Sequence, residues 1–265
     1  MMDSAPLPDD PAAAADPLVR VENLTCAYGR NVVLRNVSFE VPRGEVLTIL
    51  GGSGCGKSTL LKHMIGLEQP AKGRIWLGGQ ELTAATGSAR RRILASFGVA
   101  YQAGALFGSM SVLENVMLPL AEHSELDPPA RELVARLKLR EVGLEQYADY
   151  ATAELSGGMQ KRAAIARALA LDPAILFLDE PSAGLDPVTS AELDALILRL
   201  SRALSLTFIV VTHELASIFT IADRALMLDK QEKGIIAVGR PQDLRDHHPD
   251  PRVTRFFRRG EETPV

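Results

Sequence analysis

The chain has 265 residues, of which 46% are hydrophobic and 23% charged, with a formal net charge of -4. That length suffices to bury a substantial core in one two-lobed unit, and the small negative charge gives no overall attraction to nucleic acid. Two cysteines, Cys26 and Cys55, are too few for a disulfide framework or a four-cysteine metal site, which favours a reducing cytoplasm. Uninterrupted apolar runs fall short of the roughly 18 residues that a membrane span needs. Any membrane role is therefore expected to come through a partner.

The N-terminal part of the chain changes character at about residue 18. Residues 1–17 are rich in aspartate and proline, carry the wrong charge for a secretory signal and predict a disordered tail. Residues 19–41 alternate apolar and polar side chains around Gly29, which predicts half-exposed antiparallel strands. A buried strand is predicted at 46–50, a further hairpin strand at 73–79 and another strand at 97–101.

A helical insert is predicted next, because the strand signal disappears from about residue 103 to 170. Helical periodicity replaces it in residues 111–120, 129–142 and 158–171. Parallel strands are then predicted to begin at Ala174, Thr207 and Arg224, with a helix at 189–204 between the first two. The fold class predicted by this order is α/β, with an antiparallel β subdomain and a helical subdomain.

A phosphate-binding loop is indicated by Gly51-Gly52-Ser53-Gly54-Cys55-Gly56-Lys57-Ser58, which fits the spacing G-x-x-x-x-G-K-[ST] between a strand and a helix. Glycines there let backbone N-H groups turn toward phosphate oxygens, and the helix that follows directs its positive end at the same anion. Lys57 adds a charge for the β- and γ-phosphates. Ser58 offers a hydroxyl to Mg²⁺, which prefers oxygen ligands.

Other polar side chains follow predicted strands and are expected at the same edge of the sheet. Asp179 and Glu180 end the apolar run at 174–180; Asp179 is predicted to hold Mg²⁺ through water, and Glu180 to polarise the water that attacks the γ-phosphate. His213 follows the strand at 207–212 and can hydrogen-bond the γ-phosphate. Gln102 follows the strand at 97–101 and can approach both Mg²⁺ and that water as a neutral amide.

These motifs, in this order, resemble the nucleotide-binding subunit of ATP-binding cassette (ABC) transporters over about residues 18–240. The resemblance implies a P-loop NTPase (RecA-like) core with an antiparallel β subdomain and an α-helical ABC subdomain at about 103–170. Ser156-Gly157-Gly158, within Leu155–Gln160, matches the signature, Asp186 lies in the D-loop, and Tyr28 matches the aromatic that stacks on adenine. A strand-end aromatic packed on the core is the alternative for Tyr28. The remaining expected ATP contacts are Gly51, Gly52, Ser53, Gly54, Cys55, Gly56, Lys57, Ser58 and Thr59.

In that family two ATPase subunits face head to tail, and each ATP lies between one phosphate loop and the partner's signature. The resemblance therefore implies a homodimer that closes on ATP and Mg²⁺ and drives transmembrane permease subunits from the cytoplasmic face of the inner membrane. A signature at the start of a helix provides N-H groups for a phosphate, but the first loop already serves its own site. The signature is thus expected to meet a nucleotide bound to another copy.

Two segments narrow the expected cargo. Residues 101–116 resemble the Q-loop region of ATPases that serve MCE-protein lipid transporters, including the Mla phospholipid system, with Ala103 in place of an expected serine. The tail at 249–257 is similar to the C-terminal extension of Mla ATPases, which grips the neighbouring ATPase and a STAS-domain accessory subunit. We therefore expect residues 241–265 to form subunit contacts, with Phe256 and Phe257 at an interface. The alternative is a helix folded on its own core.

Three other functions are weighed against phospholipid transport. An importer for a small polar solute would share the core motifs. A soluble ABC ATPase acting on nucleic acid is disfavoured, because such members carry long insertions or two cassettes in one chain, and no nucleic-acid partner is expected here. A nucleotide-binding module without hydrolysis conflicts with the presence of both Glu180 and His213.

Overall fold

The computed structural model describes residues 17–102 and 104–258. Residues 1–16 and 259–265, and Ala103 of the Q-loop segment, lie outside the described residues. The disordered N-terminal tail therefore stays a prediction, as does any role for the last seven residues.

The described residues form an α/β structure, as the sequence predicts. Its strands are β1 (Val19–Tyr28), β2 (Asn31–Val41), β3 (Val46–Gly51), β4 (Lys72–Leu77), β5 (Gln80–Glu81), β6 (Phe97–Ala100), β7 (Ile175–Asp179), β8 (Thr207–Val211), β9 (Arg224–Asp229) and β10 (Gly234–Gly239). Its helices are α1 (Lys57–Met64), α2 (Gly87–Ala95), α3 (Val112–His123), α4 (Pro128–Glu141), α5 (Gly157–Ala168), α6 (Pro187–Leu204), α7 (Leu215–Ile221), α8 (Pro241–His247) and α9 (Pro251–Arg258). Each expected strand and helix is present close to its expected ends.

The strands form two sheets. One has four strands in the order β2-β1-β4-β5 and is antiparallel; the other has six in the order β10-β9-β3-β8-β7-β6. In the larger sheet β9, β3, β8, β7 and β6 are parallel, and only the edge strand β10 runs antiparallel to its neighbour, among the described residues. Parallel strands end at the same edge of a sheet, so the loops after β3, β7 and β8 are neighbours.

Both faces of the larger sheet are covered, which explains the continuous apolar runs of its strands. On β8, Phe208 and Val210 belong to a core shared with the helices α3 to α6, whereas Ile209 and Val211 belong to a core shared with the antiparallel sheet. Each of these four side chains is completely buried. The central strands are therefore fixed from two sides, and a shift of one residue would exchange the two faces.

The helical insert predicted at 103–170 is present as α3, α4 and α5 between β6 and β7. α3 begins with a capping box in which the Ser111 hydroxyl accepts from Glu114 N at 3.1 Å and Glu114 accepts from Ser111 N at 2.7 Å. α5 lies directly against β6: a Cβ added at Gly98 would be 2.1 Å from the carbonyl oxygen of Ala168. This close approach connects the end of α5 to the edge of the larger sheet.

The expectation that Phe256 and Phe257 lie at a subunit interface is wrong for this conformation of the chain. α9 packs on the chain's own core, where Phe256 is 5% and Phe257 2% exposed, and the ring centroids of Phe257 and Phe219 are 5.8 Å apart. The cause is the amphipathic pattern of α9, which turns Val253 and both phenylalanines inward and Arg255 outward. A mixture of aromatic and basic residues in the sequence does not reveal which surface covers the aromatics.

Within residues 17–102 and 104–258, none of the helices combines the length and the apolar character that crossing a bilayer requires.

The contact between Gly98 and α5 predicts a clear loss of stability for Gly98→Ala. The new methyl group would overlap Ala168 O and also lie 2.6 Å from Leu176 Cδ2, so the free energy of unfolding should fall by about 2 kcal/mol or more. Chemical denaturation measures this. Gly108→Ala is the matched control, because a Cβ there meets nothing within 4 Å, and its change should stay within about 0.5 kcal/mol. Equal stability of the two variants would contradict the packing described.

Candidate functional site

Three neighbouring parallel strands deliver polar residues to one edge of the larger sheet. β3 ends at Gly51, β7 ends at Asp179, and β8 lies between them and is followed by Thr212 and His213. Backbone hydrogen bonds extend this pairing past the strand ends, from Thr212 N to Ile49 O at 3.2 Å and from Glu180 N to Val211 O at 2.8 Å. The residues predicted after these strands are thus brought together by strand register.

The loop after β3 contains glycines that serve two different purposes. At Gly51 (φ +144) a Cβ would lie 2.4 Å from Leu228 O, and at Gly56 (φ +107) 2.9 Å from Leu34, so these two positions exclude side chains by intrachain packing. At Gly52 a Cβ would meet nothing within 4 Å, and at Gly54 only Lys230 Nζ at 4.0 Å. The prediction that the glycines leave room for an anion therefore applies to Gly52 and Gly54.

Lys57 and Cys55 lie in the same loop but have different chemical character. The Lys57 ammonium donates to Gly51 O at 2.9 Å and to Gly52 O at 3.4 Å, which holds its charge against the loop where α1 begins. Cys55 is 2% exposed, and burial raises the pKa of its thiol. Lys57 therefore supplies the positive charge of the loop, whereas Cys55 is a buried side chain whose thiol stays protonated.

A cleft of about 730 Å³, called the main cleft below, opens at this edge of the sheet. Seven of its lining residues belong to the predicted site: Gly51, Gly52, Ser53, Lys57, Gln102, Glu180 and His213. Four further residues were not expected there from the sequence: Glu214, Leu215, Ala216 and Phe256. Because phosphate-loop, carboxylate, amide and imidazole groups share one cleft, it can hold a phosphate ester and a water molecule.

Glu180 and His213 are in direct contact in the main cleft. His213 Nδ1 and Glu180 Oε1 are 2.8 Å apart, and the other carboxylate oxygen, Oε2, is buried without a hydrogen-bond partner. The backbone of Glu180 has φ +48, in the left-handed region that favours glycine. Such a conformation at a polar residue in a cleft is typical of functional sites, where the surrounding structure maintains it.

Asp179 lies one residue earlier, at the end of β7. Burial raises the pKa of its carboxyl group, the charge of Glu180 adds to that increase, and the charges of Lys57, Lys161 and Lys62 oppose it. The ionised form of Asp179 thus costs free energy in the folded chain, and a bound cation would relieve that cost.

Several predicted site residues lie outside the lining of the main cleft. Gly54, Gly56, Ser58 and Thr59 line a smaller cleft of about 160 Å³ on the phosphate loop, together with Lys57. Tyr28 lines neither cleft and is 46% exposed. This exposure argues against the alternative in which Tyr28 packs on the core, and its stacking on adenine stays a prediction.

The signature residues and Asp186 also line neither cleft. Ser156 caps α5 by accepting from Met159 N at 3.3 Å, and Asp186 caps α6 by accepting from Val188 N at 3.0 Å and Thr189 N at 3.1 Å. A Cβ at Gly158 would lie 2.4 Å from Thr189 Cγ2, whereas one at Gly157 would lie 3.5 Å from Leu185. Gly158 is therefore required by contact between α5 and α6, whereas a side chain at Gly157 would make only an ordinary contact.

The sequence predicts a helix at 158–171 but gives no role to two of its basic side chains. Lys161 donates to the carbonyl oxygens of Gln102 and Glu180, and Arg167 donates to those of Gly104 and Ala105. Single basic residues on an alanine-rich helix give no signal of such contacts. Their position after the signature motif is the only feature that could have pointed to them.

The family model for ABC transporters matches residues 34–183, more than half of the chain. The chain belongs to the ABC transporter family. It is 40% identical to the intermembrane phospholipid transport system ATP-binding protein MlaF of Escherichia coli K12, over 91% of this chain and 88% of that protein. It is 37% identical to the probable ribonucleotide transport ATP-binding protein mkl of Mycobacterium leprae, over 90% of this chain and 68% of that protein.

A solved structure of the same family agrees with the fold and the chemistry. The dimeric bacterial ABC transporter cassette MJ0796 has a TM-score of 0.75 and 29% identity, covering 84% of this chain and 98% of that one. A further dimeric structure of that cassette represents a post-hydrolysis state bound to ADP and Pi. The chain is thus an ABC-type ATPase, a nucleotide-binding subunit that hydrolyses ATP.

The position of Glu180 predicts that Glu180→Gln separates binding from hydrolysis. The amide keeps the size of the carboxylate but not its ability to polarise water, so turnover should fall by roughly 100-fold or more while ATP affinity is retained. Phosphate release and titration with a fluorescent ATP analogue measure the two effects. Glu192→Gln, an exposed carboxylate on α6, is the control. Unchanged turnover in Glu180→Gln would rule out the assigned role.

The raised pKa of Asp179 predicts opposite effects of Asp179→Asn on stability and activity. A carboxyl group whose pKa is higher in the folded than in the unfolded chain lowers stability once the pH exceeds the unfolded value. At pH 7.5 without nucleotide, Asp179→Asn should therefore raise the melting temperature by about 2 °C, and this gain should vanish as the pH is lowered toward 4. Metal-dependent ATP hydrolysis should be lost. A lower melting temperature at pH 7.5 would contradict the account of Asp179.

Proposed function

We propose that this chain powers phospholipid transport between the inner and outer membranes of a bacterium, as the ATP-hydrolysing subunit of an MCE-type (Mla-like) ABC transporter. The observation that carries the proposal is 40% identity to MlaF along 91% of the chain. The main cleft supplies the chemistry, because Glu180 and His213, which are in contact, line the same cleft as Lys57.

The predicted site residues of the main cleft and of the smaller cleft have distinct roles in the proposed hydrolysis. The ammonium of Lys57 and the backbone at Gly52 and Gly54 bind the phosphates, and the neighbouring Ser53 hydroxyl and Thr59 line the same loop. Glu180 orients and polarises the attacking water. His213 Nδ1 lies 2.8 Å from that carboxylate, and the imidazole is the group proposed to hydrogen-bond the γ-phosphate. Gln102 contributes a neutral amide between the sheet and the helical insert.

The donor set near Asp179 fits Mg²⁺. Ser58, Gln102 and Asp179 offer a hydroxyl, an amide oxygen and a carboxylate, all hard oxygen donors, and the pKa of Asp179 is raised by burial beside Glu180. Among the described residues no three His, Cys, Asp or Glu side chains cluster as a metal site, so the remaining ligands would be phosphate oxygens and water. When bound, Mg²⁺ neutralises charge that develops on the phosphates.

We infer that the chain works as a homodimer. Ser156, Gly157 and Gly158 begin α5 but line neither cleft of their own chain, whereas the related cassette MJ0796 is dimeric. In the proposed dimer the signature of one copy completes the site of the other, and Asp186, in the loop that caps α6, approaches the dimer contact. Tyr28 stacks on the adenine ring.

The proposed transporter places this subunit on the cytoplasmic face of the inner membrane. Its partners are transmembrane permease subunits, an MCE-domain protein and a STAS-domain accessory subunit. The helical insert (α3 to α5) and the sheet meet at Gln102. Movement of the insert relative to the sheet is transmitted to the permease. No membrane-spanning helix is found among the described residues, so the attachment proposed here is peripheral.

A second candidate is the ATPase of a transporter for a small polar solute. Its support is the likeness to mkl of Mycobacterium leprae, named as probably serving ribonucleotide transport, at 37% identity over 90% of this chain. The catalytic chemistry would be unchanged, because the cargo does not enter the main cleft.

Affinity purification in mild detergent distinguishes the two candidates. The tagged chain should recover a multi-span permease, a single-span MCE protein and bound phospholipid, identified by mass spectrometry. A permease with a soluble solute receptor would instead favour small-molecule import. Nucleic acid without membrane proteins would contradict both transporter functions.

The exposed face of α9 gives a test of the accessory-subunit contact that does not unfold the chain. Deleting α9 would uncover the core around Leu50 and Ile218. The double substitution Arg255→Glu and Arg258→Glu avoids this, because both side chains are exposed. Charge reversal should lower recovery of the STAS-domain subunit by roughly tenfold. Arg43→Glu with Lys72→Glu, exposed residues at the antiparallel sheet, matches the charge change. Equal recovery in both double variants would exclude α9 from the contact.

A further inference from the structure

The helix that begins at the signature makes direct polar contact with the backbone of the catalytic residue. Lys161 lies on the first turns of α5, and its ammonium group donates to Glu180 O at 3.3 Å and to the carbonyl oxygen of Gln102. One side chain thus joins the helical insert to two of the residues proposed to act on the attacking water. Neither partner is a side chain, so the contact acts on the peptides that carry Glu180 and Gln102.

The peptide of Glu180 is fixed at both ends. Its N-H donates to Val211 O at 2.8 Å, and its carbonyl accepts from Lys161. Between these two contacts the backbone has φ +48, a conformation that needs support from its surroundings at a residue with a side chain. The Glu180 carboxylate is 13% exposed and touches His213, so a rotation of this peptide would move the carboxylate away from the main cleft.

Arg167 makes a second connection of the same kind further along α5. Its Nη1 donates to Ala105 O at 2.8 Å and its Nη2 to Gly104 O at 3.0 Å. Lys161 and Arg167 therefore hold carbonyls on both sides of residue 103, and Ala105 also has a left-handed backbone, with φ +48. Burial lowers the pKa of both side chains, which shows that these cations are placed at a cost in desolvation.

The anchoring of α5 does not depend on Lys161. Ala163, Ala164, Ile165 and Ala166 are each at most 1% exposed and fix the helix in the core beside β6 and α6. Lys161 itself is only half-buried. Its ammonium group is thus available for a task other than packing.

We propose that Lys161 is a positioning residue that couples the signature end of α5 to the Glu180 peptide, so that engagement of the signature by a phosphate sets the geometry for hydrolysis. This inference rests on the proposed role of Glu180. A small displacement of α5 moves the ammonium group, and the carbonyls of Glu180 and Gln102 move with it. Binding of ATP by the phosphate loop does not require the contact, whereas alignment of the attacking water does.

Steady-state ATP hydrolysis by the intact transporter complex tests the coupling with three substitutions at one position. Lys161→Met removes the charge and keeps an unbranched apolar side chain of similar length. We expect kcat to fall about tenfold or more, because a charged hydrogen bond is lost. KM for ATP and the melting temperature should be nearly unchanged. Lys161→Arg should retain most of kcat. Lys161→Gln, which keeps a neutral donor, should lie between them and covers the case in which the methionine variant is poorly folded.

Two controls separate this coupling from general effects and from the role of Glu180. Arg199→Met removes another cation that donates to a backbone carbonyl, that of Glu141 at 3.2 Å. Neither residue lines the main cleft, so kcat and KM should stay unchanged. Glu180→Gln is measured in parallel: if it keeps full turnover, the proposed role of Glu180 is wrong. If Glu180→Gln is inactive, three results would overturn the coupling and leave the ATPase assignment standing. Lys161→Met could retain wild-type kcat, or it could lose activity only through KM. Lys161→Arg could also be as defective as Lys161→Met.

Discussion

The parallel register of β3, β8 and β7 is the constraint on which the site depends. Val211 pairs with Ile49 on one side and with Asp179 on the other, and the pairing continues into Thr212 and Glu180. Because all three strands end at the same edge of the sheet, the phosphate loop, the carboxylate pair and His213 meet there, although long segments separate them along the chain. A one-residue slip of β8 would exchange its two buried faces and move His213 away from Glu180.

Much of the fold and of the site could be predicted from sequence because the relevant signals are local. Apolar runs identified β3, β7 and β8, the loop at 51–58 follows a fixed spacing, and Glu180 and His213 each follow a strand directly. The contacts of Lys161 were not predictable, since they join residues of different elements through backbone carbonyls, which carry no sequence signal. The burial of Phe256 and Phe257 was not predictable either, because composition does not say which surface an amphipathic helix covers.

The site also contains features that oppose stability, as functional sites often do. Glu180 occupies a left-handed backbone conformation, the pKa of Asp179 is raised by burial, and an oxygen of Glu180 is buried without a partner. The charges of Lys57 and Lys161 oppose the increase in the pKa of Asp179. The glycines fall into two groups. Gly51, Gly98 and Gly158 are required by close packing, whereas Gly52 and Gly157 have space that a ligand or a partner could use.

The central claim is that one chain holds only half of each ATP site and that Gly157 contributes to the other half. Sedimentation velocity with a non-hydrolysable ATP analogue and Mg²⁺ tests this claim on the wild-type chain and on Gly157→Asp. The chain accommodates the substitution, because a Cβ at residue 157 lies 3.5 Å from Leu185. The account predicts a nucleotide-dependent dimer for the wild type and, for Gly157→Asp, a monomer that binds the analogue with undiminished affinity. An equally stable nucleotide-dependent dimer of Gly157→Asp would contradict it.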